Sequence, residues 1–191
     1  MLNKGWIFFA GDHKQSSYPD INPNAQLPAL VDDDLVLWES NAILVYASEK
    51  LGNKTAYPAD PKVRGDITRW LLWESGTWFG SCYVYLVENV VKPLLDDKPD
   101  NSILMAHEPA FFGHASILES ALDGREWLSD KHATIADIAV AAPMHLHAVQ
   151  KLPLDNYPNI RSWMTRVEAL PSWKKSDPIP HIPEELLAKL A

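Results

Sequence analysis

Gln26-Leu27-Pro28-Ala29-Leu30-Val31-Asp32-Asp33-Asp34-Leu35-Val36-Leu37-Trp38-Glu39-Ser40-Asn41-Ala42-Ile43 is the stretch on which the fold turns. Two short apolar runs, Pro28 to Val31 and Leu35 to Trp38, flank the turn Asp32-Asp33-Asp34, so 28–38 reads as a hairpin. At Ser40 the period changes from two to that of a helix. Ala42, Ile43, Tyr46 and Ala47 share one face, and Leu51-Gly52 closes the helix. Upstream, Trp6-Ile-Phe-Phe-Ala10 reads as a buried strand, and 11–24 as a polar loop carrying Pro19 and Pro23. Asn3-Lys4-Gly5 reads as the end of a helix, a cation followed by a Gly cap.

Downstream, 53–61 carries Pro58 and Pro61 and reads as a linker. From Lys62 the pattern is helical throughout. Val63, Ile67, Trp70 and Leu71 space a helix that Gly76 and Gly80 are expected to bend and that stops near Pro93. A second helix falls within 101–122, with Pro109 as its start or a kink. Ala136 to Gln150 is apolar and mostly small, the pattern of a helix buried on all sides. Another helix covers 158–170. These readings divide the chain into 1–52, the linker 53–61, a helical domain 62–175 and a tail 176–191. Strands first and helices afterwards give an α+β unit joined to an all-α one.

The chain has 191 residues, 47% of them hydrophobic, with one Cys and a net charge of −8. That composition supports a sizeable core and excludes global disorder. A lone Cys82 excludes a disulfide framework and fits a reducing compartment. The acidic balance argues against nucleic acid and against anionic membrane surfaces as partners. No apolar run is long enough to span a membrane, and the first residues lack the pattern of a signal peptide.

Three segments carry the functional signal. Leu27-Pro28 stands at a strand entry, where proline is tolerated. A cis bond there would turn the Leu27 N–H and C=O toward an extended peptide, whereas base rates favour an ordinary trans proline. Ser40 reads as a helix N-cap beside Glu39. A helix N-terminus suits a carboxylate and Glu39 suits an ammonium, so the pair fits the two ends of a free α-amino acid group. Taken alone, capping by Ser40 and a solvated Glu39 explain the same residues. Thr134-Ile135-Ala136-Asp137 follows the capping-box logic with Asp in place of Glu, a structural device.

In this order, the segments Asn22-Pro23 with Gln26-Leu27-Pro28-Ala29-Leu30, Trp38-Glu39-Ser40-Asn41-Ala42-Ile43 and Thr134-Ile135-Ala136-Asp137 resemble the cytosolic glutathione transferases over nearly the whole chain. Gly11-Asp12-His13-Lys14 is most similar to the phi-class and theta-class branch. The resemblance implies a thioredoxin-like N-terminal domain, incomplete at its start, followed by an all-α domain. It gives His13, Lys14 and Gln26 to the glycine end of glutathione. The backbone of Leu27, before Pro28, goes to the cysteinyl unit, and Glu39 and Ser40 to the γ-glutamyl zwitterion. It implies glutathione as co-substrate, a small hydrophobic electrophile as acceptor, a homodimer, a cytoplasmic setting and a detoxifying role.

The resemblance also places the thiol-activating Ser, Tyr or Cys before Met1, so no residue is nominated as catalytic. A first strand and helix of the usual lengths would add about 20 residues. The alternative reading is a non-catalytic binding or scaffold protein of the same fold. Other chemistries fit less well. His145 and His147 lie two apart on different helix faces, with no Cys pair to support zinc. Cys82 reads as an inert buried thiol. Trp70, Trp73, Trp78 and Tyr83 read mostly as core, with one or two facing an acceptor pocket.

Overall fold

The computed structural model describes residues 18–176. The strand expected at Trp6–Ala10, the helix end at Asn3-Lys4-Gly5 and the pair His13-Lys14 lie outside the described residues. The chain divides into two compact units, Met1–Tyr57 and Pro58–Ala191.

In the first unit, β1 (Ala29–Asp32) and β2 (Leu35–Trp38) form an antiparallel hairpin. Ala29 pairs with Trp38, and Asp32 with Leu35. The side chains alternate as a half-buried ladder requires, with Leu35 and Leu37 turned inward and Val36 and Trp38 exposed. Asp33 takes a φ of 54° in the turn, a left-handed conformation that Asp tolerates better than most side chains.

α1 (Ser40–Lys50) follows β2 at once. Asp32 fastens it to the hairpin by accepting from the Tyr46 hydroxyl at 2.5 Å and from the Lys50 ammonium. Those two partners, Lys50 first and Tyr46 second, hold the Asp32 carboxyl below its ordinary pKa. Ahead of the hairpin, residues 18–26 wind around a buried Tyr18 and a buried Asn22.

The second unit is helical. α2 (Pro61–Trp73) begins where Asp60 accepts from Lys62 N at 2.7 Å and Pro61 fills the first turn. Gly76 and Gly80 do not end this helix. The helix instead widens into π turns at Glu74–Trp78 and Val87–Val91, separated by α3 (Phe79–Leu86), and ends in α4 (Lys92–Leu94). α5 (Asn101–Ala121) is capped by Asp100 and runs through Pro109 without ending.

The single helix expected over 136–150 is corrected to three pieces. α6 (Ile135–Ala141), a 3-10 turn at Ala142–Met144 and α7 (His147–Gln150) replace it. Pro143 lacks the N–H that the next turn needs, which accounts for the break. α8 (Pro158–Glu168) starts on Glu119, whose carboxylate accepts from Asn159 N at 2.9 Å and Ile160 N at 3.0 Å. α9 (Pro171–Lys175) closes the described chain.

The core gathers around α6. Trp78 donates its ring N–H to Val140 O at 3.0 Å, and Trp73 stacks on Trp78 with centroids 5.6 Å apart. The capping box at Thr134 and Asp137 is present, and Asp137 also accepts from Leu128 N and from the Trp163 ring. Among the described residues no helix is long and apolar enough to cross a membrane.

Candidate functional site

The hairpin register brings two of the three nominated segments to one end. Because Ala29 pairs with Trp38, the next positions outward are Pro28 and Glu39. Directly opposed residues of an antiparallel pair lie about 4.5–5.5 Å apart at their Cα atoms. Gln26, Leu27 and Pro28 lead into the hairpin at the end where Glu39 and Ser40 leave it. All five are exposed, Leu27 by 40% of its surface. His13 and Lys14 lie outside the described residues.

The Leu27–Pro28 bond is cis, against the base-rate expectation of trans. Pro28 stands one residue before β1, where a missing donor costs no ladder bond.

At the other segment the reading of Ser40 as the cap is corrected. Glu39 occupies the N-cap position, with φ 74° and ψ 115° and no side-chain capping bond, and Ser40 is the first helical residue. The switch from strand to helix within one residue forces this geometry. β2 ends at Trp38, α1 begins at Ser40, and Glu39 makes the whole turn. Its carboxylate is thus left unused by the helix it opens. The side chains of Glu39 and Ser40 both stand at the positive end of the α1 dipole.

A positive φ is strained for Glu and permitted for Gly. Glu39→Gly is therefore expected to be more stable than Glu39→Ala by about 1 kcal/mol, read by urea denaturation of the two variants. Equal stability would mean that the surrounding turn relaxes when Glu39 is truncated.

Nothing in the sequence marks Tyr18 and Asn22 as donors, yet both bond to the segment that precedes Pro28. The Tyr18 hydroxyl and the Asn22 amide each donate to the Gln26 carbonyl at 2.7 Å. A lone Tyr ahead of Asn-Pro carries no periodic signal; only the loop closure shows the contact.

The other nominated groups are placed in the helical unit. Cys82 is fully buried, and burial, with the Glu74 carboxylate second, pushes its thiol well above the ordinary range. Its reaction with a thiol reagent is expected only through unfolding of the helical unit, so labelling should rise with urea in step with loss of helix. Fast labelling of the native protein would contradict that. His147 Nε2 lies 3.0 Å from Glu168 Oε1, and the His145 ring packs on Trp173. Among the described residues no group of three His, Cys, Asp or Glu is placed to hold a metal. Trp70 and Trp78 are core, while Tyr83 is exposed and stacks on Phe79 at 5.1 Å.

Two family models match the chain: the glutathione S-transferase N-terminal domain over residues 7–49 and the glutathione S-transferase C-terminal domain over residues 87–171. A glutathione transferase from Populus trichocarpa has 24% identity and a TM-score of 0.79, covering 97% of this chain and 85% of its own. Human glutathione transferase theta-2, solved in complex with glutathione and an unknown ligand, has 24% identity and a TM-score of 0.76, over 94% of this chain and 84% of its own. A glutathione transferase from Bombyx mori has 25% identity and a TM-score of 0.71, over 96% and 81%. The fold shared with these structures is a thioredoxin-like N-terminal domain followed by a helical one, as expected from the sequence.

Proposed function

From the premise that this chain belongs to the glutathione S-transferase family, we propose that it binds glutathione at the open end of the β1–β2 hairpin and transfers its thiolate to a small hydrophobic electrophile. The observation that carries this reading is the juxtaposition of Leu27-Pro28 with Glu39-Ser40. A peptide segment and a carboxylate at a helix N-terminus flank the last ladder pair, Ala29–Trp38. Glu39 takes the γ-glutamyl ammonium by a charge-assisted bond, and Ser40 with the first turn of α1 takes the adjoining carboxylate. Leu27 offers its backbone to the cysteinyl unit. Gln26, and His13 and Lys14, serve the glycine end.

The thiolate attacks the electrophile's carbon, the new C–S bond forms and the leaving group departs with its electron pair. The human theta-2 structure, which holds glutathione, supports the co-substrate by kinship. The natural setting in this reading is cytoplasmic and detoxifying.

Titration of the full chain with glutathione, followed by a conjugation assay with an activated aryl chloride, tests the proposal. Binding with conjugation supports it. Binding without conjugation across a panel of electrophiles supports the scaffold alternative, and absence of binding sinks both.

The same reading includes a homodimer. Leu72, Phe79 and Tyr83 are exposed at 68%, 45% and 42%, an apolar surface that a second copy would cover. Light scattering is expected to give twice the chain mass of 21.5 kDa, and a monomer mass would count against pairing.

A further inference from the structure

The Gln26 carbonyl accepts hydrogen bonds from two buried side chains. Tyr18 donates its hydroxyl at 2.7 Å and Asn22 its Nδ2 at 2.7 Å. These donors are only 1% and 3% exposed, whereas Gln26 itself is exposed. Burying polar groups costs free energy unless they are bonded, and an apolar pair could fill the same space without that cost. The two donors are also locked to each other. The Tyr18 carbonyl accepts from Ile21 N at 2.8 Å and Asn22 N at 2.9 Å. Asn22 Oδ1 accepts from Asn24 N at 3.0 Å and Asn24 Nδ2 at 3.2 Å. Burial raises the Tyr18 hydroxyl above its ordinary pKa, with the Asn22 amide pulling the other way, so the hydroxyl keeps its proton to donate at neutral pH.

The consequence follows from peptide geometry. A trans peptide is planar, and its C=O and N–H point in opposite directions. Fixing the Gln26 oxygen toward the buried donors aims the Leu27 N–H the other way, out of the loop and beside Pro28. We infer that Tyr18 and Asn22 are positioning residues. They clamp the Gln26–Leu27 peptide in the orientation that presents the Leu27 backbone to an extended peptide ligand. This rests on the glutathione reading above. Without the clamp the peptide unit samples other orientations, and apparent affinity falls in proportion to the fraction of molecules that keep the competent one.

Two conservative variants of the full chain test the clamp. Tyr18→Phe deletes only the hydroxyl, and Asn22→Asp replaces the Nδ2 donor by a carboxylate oxygen while keeping the acceptor that Asn24 uses. Each is expected to weaken glutathione binding about 3–10-fold and to shift or split the Leu27 amide resonance. Hydrogen-exchange protection at Ile43–Ala47 should stay as in the unaltered protein. Unchanged affinity in both variants overturns the clamp. So does a loss of affinity that comes with loss of protection at Ile43–Ala47, which would assign the two residues to folding alone. Should the unaltered chain fail to bind glutathione, the proposed function falls and the Leu27 resonance decides the clamp by itself. A split or shifted signal in the variants sustains it, and an unmoved one overturns it.

Discussion

Asp137→Ala is expected to destabilise the helical unit by about 3–5 kcal/mol, more than any other single truncation of a polar side chain considered above. The capping pattern alone warranted about 1 kcal/mol. The structure raises the figure because Asp137 is a hub. One carboxylate oxygen accepts from Leu128 N and the Trp163 ring N–H, both at 3.0 Å. The other accepts from Thr134 N at 2.8 Å and from the Thr134 hydroxyl at 3.1 Å. Asp137 is 0% exposed, so truncation leaves several buried donors without partners, at about 1–3 kcal/mol each before relaxation.

Burial pushes the Asp137 carboxyl above the ordinary carboxylate range, while its bonds from Thr134, Leu128 and Trp163 oppose that rise. A raised carboxyl lends stability that is full below its ordinary value and is lost as pH rises through its folded value. Asp137→Ala lacks that decline. Urea denaturation of both proteins across acidic pH reads the loss and its pH dependence together. A cost near 1 kcal/mol would mean that the 128–134 loop and Trp163 find other acceptors.

Glu39→Ala is expected to weaken glutathione binding about 10–100-fold, and Ser40→Ala somewhat less. Both residues are exposed, and Glu39 makes no side-chain bond to the helix that it opens. Their truncation therefore costs the fold little, and affinity and stability separate cleanly. That separation is sharper than the sequence allowed. Had Ser40 been the cap, Ser40→Ala would have cost about 1 kcal/mol of helix stability as well. Calorimetric titration beside thermal unfolding measures both quantities. A large stability loss with unchanged affinity would return the pair to a capping role and remove the ligand from this end of the hairpin.

The hairpin, α1, the helical second unit and the capping box are legible in the chain because each rests on local chemistry. Alternation from Pro28 to Trp38 and the helical spacing from Ala42 need no distant partner. Thr134 and Asp137 are three residues apart, so their reciprocal bonds are written in sequence. The motifs at 22–30, 38–43 and 134–137 together carried the family, and with it the nomination of the segments that the register brings to one end.

Tertiary structure decided what depends on groups far apart or on backbone geometry that propensity does not encode. Glu39 rather than Ser40 takes the N-cap because β2 and α1 leave one residue to turn in, and that residue must accept a positive φ. The helix from Pro61 to Leu94 takes Gly76 into a π turn, a local widening that composition does not specify. Asp137 became a hub only when Leu128 and Trp163, 9 and 26 residues away, folded onto it. Tyr18 and Asn22 reach the Gln26 carbonyl only once the loop has closed, because a hydrogen bond is decided by distance and angle in space, which a pattern along the chain does not contain.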